Sequence, residues 1–207
     1  MRGKIGPLLG LALASLLCLL LVGSNCACWR TEGNRGDEPV ESDGAERGDG
    51  ETAEVGTVEV TLYFRYDTPE GSWLAPEKRM MESAEPCRAA MEALIAGPEQ
   101  GSSLKPVLPN TVRVLETAVE GGICTLNVSG EIITDAAQVG VSASGEMLAL
   151  AAIANTLTGL AGVEKVRLLV EGLQSGMVEG RFVEDFWGHV GLPEYLERNE
   201  RLIYGGA

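Results

Sequence analysis

The chain has 207 residues, a formal net charge of −14, 27 glycines and 5% aromatic residues. That balance argues against nucleic acid and against adsorption to anionic lipid, because no lysine or arginine stripe is present to neutralise phosphates. The core has to be mainly aliphatic, and the acidity reads as a device for solubility.

Arg2 and Lys4 precede an apolar run over residues 8–22, followed by Gly23-Ser24-Asn25-Cys26-Ala27-Cys28. A basic start, a short apolar centre and a small-residue exit describe an export signal over residues 1–25. The run falls short of the ~20 residues that a transmembrane helix wants. Cys26 is the expected lipidation site of a bacterial lipoprotein, although Gly-Ser-Asn is not the usual Leu-small-small lead. Acylation of Cys28 and an uncleaved anchor are the alternatives, and all three place the rest of the chain outside the cytoplasmic membrane. One acyl chain anchors only marginally, so a diacylglyceryl group is the sensible attachment.

Residues 26–56 form the expected lipidated N-terminus and acidic linker. From Trp29 to Gly56 nine acidic residues stand against three arginines, and branched aliphatic residues nearly vanish. Such a segment buries too little to offset backbone ordering and reads as a disordered, self-repelling tether.

The head is expected over residues 57–205. Residues 57–65 alternate, with Val58, Val60, Leu62 and Phe64 on one face of a half-buried strand. A loop containing Pro69, Gly71 and Pro76 follows. Ser83, as N-cap, and Pro86 open a helix whose buried stripe is Cys87, Met91, Leu94 and Ile95, and Gly97-Pro98 ends it. A strand over 111–120 slips phase between Val114 and Leu115, which predicts a bulge. Gly121-Gly122 is a hairpin signal, and the return strand turns Cys124, Leu126 and Val128 to one side. A second helix starts near Ser144 with a stripe of Leu150, Ile153, Leu157 and Leu160, and a strand over 165–172 closes the order. Phe182, Phe186, Trp187 and Leu192 look like tail anchors. The order β-α-β-β-α-β predicts an α+β, two-layer sandwich. Its mixed four-stranded sheet carries both helices on one face and leaves the other face polar. Cys87 and Cys124 both fall on core faces, so two buried thiols are expected ahead of a disulfide, which an oxidising compartment would permit.

In order, Leu74-Ala75-Pro76, Ala93-Leu94-Ile95-Ala96-Gly97-Pro98, Leu108-Pro109-Asn110-Thr111-Val112-Arg113-Val114-Leu115 and Gly122-Ile123-Cys124-Thr125-Leu126-Asn127-Val128-Ser129 resemble the GerMN domain family of sporulation and spore germination. Ile153-Ala154-Asn155-Thr156-Leu157-Thr158, Val163-Glu164-Lys165-Val166-Arg167, Val170-Glu171-Gly172 and Gly188-His189-Val190 continue the resemblance, which spans about residues 57–199. Asn127 and Val128 depart from it, since acidic and aromatic residues are more usual there. The resemblance implies a ring-building-motif-like, exported and often lipid-anchored domain of spore-forming and related Gram-positive bacteria. It implies no catalytic residue, cofactor or metal. The partners it implies are envelope or sporulation proteins, including further copies of the chain, with the membrane reached through the anchor. Cell-wall glycan (peptidoglycan) binding is the alternative function, for which Tyr63, Tyr66, Trp73 and Trp187 offer stacking surfaces.

No residue pattern argues for an enzyme. His189 is the only histidine, and its neighbours Glu184 and Asp185 lie beside an aromatic cluster better suited to packing. A deep cavity shared by His189 and a carboxylate would revive a hydrolase. Asn155 and Thr156 sit mid-helix and are expected to bond nearby backbone. Glu59 and Glu120 read as exposed sheet charges rather than a glycosidase pair. The sequon Asn127-Val128-Ser129 lies within a strand, where glycosylation is not expected.

Overall fold

The computed structural model describes residues 56–206. The export signal, Cys26, Cys28 and nearly all of the acidic linker lie outside the described residues. The head is of mixed α+β type. It opens with a long antiparallel hairpin of β1 (Thr57–Thr68) and β2 (Gly71–Glu82), in register from Thr57↔Glu82 to Thr68↔Gly71. Pro69 and Glu70 are left as the turn. Val60, Leu62 and Phe64 are buried as their alternation requires.

β2 corrects the expected loop. Pro76 reads as a breaker in the sequence, but proline is tolerated on an edge strand whose N–H would face away from its partner. Pro76 sits opposite Tyr63 in just such a strand.

α1 (Pro86–Ala96) buries Cys87, Ala90, Met91, Leu94 and Ile95, and Gly97 ends it at a positive φ of 89°. Ser83 is not its N-cap. Glu85 holds that place, and the Ser83 hydroxyl instead accepts from the Glu85 N–H at 2.9 Å.

β3 (Val114–Glu120) and β4 (Ile123–Val128) pair antiparallel, with the register broken between Val114 and Glu116 as the phase slip predicts. Gly121 and Gly122 both have positive φ, 55° and 80°, the requirement of a tight two-residue turn. After the helical turn α2 (Glu131–Thr134) and a 3₁₀ turn, Ser142 caps α3 (Ala143–Leu157) through the Gly145 N–H at 3.0 Å. β5 (Lys165–Val170) runs parallel to β4. A small hairpin, β6 (Met177–Val178) and β7 (Arg181–Phe182), leads into the C-terminal segment.

The four-stranded sheet containing the first strand does not form. β3, β4 and β5 make a three-stranded sheet, and β1 pairs with β2 instead. A two-residue connection closes that hairpin at little entropic cost, whereas entry to the main sheet needs a long crossover. The place beside β5 goes to the C-terminal segment: Val166 and Leu196 exchange backbone hydrogen bonds of 2.9 and 2.7 Å.

The two-layer expectation also changes. Every residue of α3 from Leu148 to Leu157 is buried, so the helix has partners on all sides, drawn from β1, β2, β5, α1 and the C-terminal segment. Its sequence, Leu148-Ala-Leu-Ala-Ala-Ile-Ala-Asn-Thr-Leu157, lacks the charged face that a surface helix keeps. Cys124, Leu126, Val128, Val166, Leu168 and Val170 bury one face of the main sheet. On the other face Thr125, Asn127, Arg167 and Leu169 are half-buried, a mixture of polar and apolar side chains.

Candidate interaction site

Four polar side chains among the described residues are buried, and three stand on α3. Each is satisfied, as burial demands. Glu146 accepts from the backbone N–H groups of His189 and Gly191, both at 2.9 Å. Asn155 clasps Asn199 reciprocally: its Nδ2 donates to the Asn199 carbonyl at 3.1 Å, and its Oδ1 accepts from the Asn199 N–H at 2.7 Å. The Thr156 hydroxyl accepts from the Tyr63 N–H at 3.3 Å, fixing α3 to β1. Asn155 and Thr156 are thus the backbone-binding residues their mid-helix position predicts. Glu146, which sequence reasoning missed, is signalled only by an acid beside the apolar Met147-Leu148 start of the helix. Ser129, the fourth, accepts from the Arg113 N–H at 2.9 Å.

These contacts seal one edge of the main sheet. Leu196 is buried against Val166, and Arg198 reaches back to the Asn155 carbonyl at 3.3 Å and the Tyr63 hydroxyl at 3.2 Å. Tyr195 lies under the Lys165 ammonium, 4.0 Å from its ring centroid, and beside the Arg167 guanidinium, which donates to its hydroxyl.

The other edge is open. Among the described residues β3 has no neighbour beyond β4, and Leu115 and Val119 are 40% and 46% exposed along it. A two-residue turn makes Glu120/Ile123 a hydrogen-bonded pair, so the alternation of an antiparallel ladder points the N–H and C=O groups of Val119 and Thr117 outward. Arg88 covers only the start of the edge, donating to the carbonyls of Val114 at 2.9 Å and Leu115 at 3.2 Å. Beside the free stretch lies a groove of about 330 Å³, lined by Pro86, Cys87, Thr117, Val119, Leu160 and Ala161. An unpaired strand edge next to an apolar groove is the physical basis of strand addition, in which backbone bonds give affinity and the groove takes a side chain.

The other sequence candidates scatter. His189 is exposed, and with Asp185 it lines an open depression of about 320 Å³ formed by residues 185–191, not a deep cavity. Glu59 lies on β1, paired to Lys78 at 2.8 Å, while Glu120 lies on β3 in another sheet. Asn127 uses its Oδ1 to accept from the Gly172 N–H at 2.8 Å, and Ser129 is buried. Two proposed stacking residues are corrected. Trp187 is buried, stacked on Phe186 and donating from Nε1 to the Ile132 carbonyl at 2.8 Å, and Tyr63 is buried beneath Arg198. Tyr66 and Trp73 do meet, as cross-strand partners, and are joined by exposed Tyr204, which packs edge-on to Tyr66 at 5.0 Å. Phe182 is half exposed and no anchor, because the fully buried Val183 takes that role.

The described residues include no helix long and apolar enough to cross a membrane. Cys87 and Cys124 are both buried free thiols, as expected.

Residues 61–175 match the model of the Germane family, described as sporulation and spore germination, and the chain belongs to that family. The match runs from β1 to just past β5, so it bears out the GerMN resemblance over the elements of the main sheet and leaves the Gly188-His189-Val190 piece outside it. Similar solved structures include a candidate lipoprotein from Clostridium perfringens, 24% identical, covering 69% of this chain and 88% of that one, with a TM-score of 0.44. The tandem GerMN domains of the sporulation protein GerM from Bacillus subtilis are 20% identical over 77% of this chain and 51% of that one, with a TM-score of 0.49. The first GerMN domain of the same protein is 19% identical over 69% of this chain and 98% of that one, also with a TM-score of 0.49. This chain therefore spans about half the length of the tandem. Nothing among the curated proteins matches it.

Proposed function

We propose that this is a membrane-tethered, extracytoplasmic and non-catalytic assembly domain acting in sporulation or spore germination. In this reading residues 1–25 direct export, Cys26 carries the lipid, residues 26–56 space the head from the membrane, and residues 57–205 dock to an envelope or sporulation protein, or to another copy of the chain. The observation that carries the docking step is the free β3 edge with its apolar groove. Family membership supports the developmental setting, and the signal-like N-terminus supports the compartment.

The test is site-specific photocrosslinking in sporulating cells, with the probe at position 119 and a control probe at position 80 on β2, where Met80 is exposed. A discrete crosslinked species from position 119 and none from position 80 is expected. Equal or absent yields from both would remove the β3 edge from the account. Detergent partitioning checks the anchor: the intact protein should enter the detergent phase, and a Cys26→Ala chain should not.

A second reading, binding of cell-wall glycan, is favoured by one observation: Tyr66, Trp73 and Tyr204 form an aromatic cluster near the hairpin turn. Retention on purified cell wall that is lost on Trp73→Ala but kept in Val119→Lys would select it.

A further inference from the structure

We propose that the outer face of the β3-β4-β5 sheet pairs with the same face of a second copy of this chain, about a two-fold axis parallel to β4. Cross-strand partners share a face, so the ladder registers sort the outward side chains into rows. Glu120 pairs with Ile123 and Ile123 with Lys165, which makes one row. Thr125 and Arg167 belong to the next row, and Glu116 to the row after that. Acids therefore stand on β3, cations on β5 and uncharged side chains between them on β4. The two charged columns lie about 10 Å apart, twice the spacing of neighbouring strands.

These charges have no use within the head. Among the described residues most lysines and arginines stand in ion pairs, but Lys165, Arg167, Glu116 and Glu120 do not. Tyr195 holds both cations in place instead. The Lys165 ammonium lies 4.0 Å from its ring centroid, and the Arg167 guanidinium donates to its hydroxyl. Side chains ordered before contact lose less freedom on docking. The complement to this fixed pair of cations is the acidic column that every copy of the chain displays on the same face.

Symmetry selects the arrangement. Rotation by half a turn about an axis that lies between the faces and runs along β4 carries β3 over β5 and keeps each row at its own height. Glu120 then faces Lys165 of the second copy, and the reverse contact follows, as an isologous interface requires. Glu116 lies one row from Arg167, within reach of a long side chain. An axis across the strands would instead set β3 on β3 and acid on acid. The backbone groups of the β3 edge point sideways in the plane of the sheet and stay free, so this pairing does not rest on the docking edge proposed above. A face of about 15 by 20 Å falls well below the ~800 Å² per partner of a stable interface, so the pair is weak and salt-sensitive.

The test is sedimentation equilibrium of the full-length chain in an excess of detergent micelles. A concentration-dependent dimer is expected at about 50 mM salt, with a Kd that rises about tenfold at about 500 mM. Glu120→Lys alone and Lys165→Glu alone should each lose the dimer, because each sets like charges against one another. An equimolar mixture of the two variants should regain it, because both contacts are then again between opposite charges. Mixing cannot restore a chain that has failed to fold, so the regain separates pairing from structural damage. A natural chain that stays monomeric at about 1 mM in low salt would overturn the pairing, as would variants that stay apart on mixing. Loss with Lys165→Glu but not with Glu120→Lys would also overturn it, since the cations would then be meeting an acid other than β3 of a second copy.

Discussion

The two edges of the β3-β4-β5 sheet are treated in opposite ways. Along β5 the chain's own C-terminal segment occupies the next place, bonded at Leu196 and fastened by Asn155, Arg198 and Tyr195. Along β3, among the described residues, only the first carbonyls are covered, by Arg88. An exposed edge is a hazard for aggregation, and folded proteins blunt it with bulges and charges. β3 carries both, a bulge near Leu115 and the acids Glu116 and Glu120, yet keeps Val119 and the neighbouring groove open. Within the described residues the same sheet thus has one edge closed by the chain itself and one edge left uncovered.

Breaking the closed edge should have the largest effect. Leu196→Ala removes a buried side chain from the seam with Val166 and should cost about 3 kcal/mol in urea unfolding. Glu146→Ala comes next. It strips two backbone N–H groups of their acceptor and should cost about 2 kcal/mol, with faster hydrogen exchange at residues 188–191.

A smaller effect belongs to the hairpin, which the sheet edges do not share. Hydrogen bonds from Lys105 and Ser72, with the nearby Arg65, hold the Asp67 carboxyl at about 2, below its usual 3.8. A depressed carboxylate stabilises the fold above the unfolded value and loses that contribution as pH falls through the folded one. Stability should therefore drop between about pH 4 and pH 2 by about 1 kcal/mol, because the site is partly exposed. Asp67→Asn should flatten that part of the pH profile.

Much of this was legible in the chain, and the reasons differ by element. The Gly121-Gly122 turn, the bulge near Leu115 and the stripe of α1 declare themselves through local chemistry, which survives translation into structure. β2 was hidden by Pro76, since proline signals a break until the edge position of the strand is known. The closed edge was invisible because Leu196 lies in a stretch with no strand period, and its pairing with Val166 is set by tertiary contacts alone. Tyr63 and Trp187 read as stacking surfaces because aromatic type says nothing of depth, and both are buried. The open edge could not be found before the true partner of β1 was known, because a sheet that included β1 would have placed its edges elsewhere.

Position 119 gives the most direct test. Its N–H points away from β4, so Val119→Pro removes an edge donor while leaving the β3–β4 ladder intact. The account predicts a change in stability of less than about 0.5 kcal/mol, as for other exposed positions, together with at least a tenfold fall in partner crosslinked from sporulating cells. An unchanged yield from a folded Val119→Pro chain would contradict it.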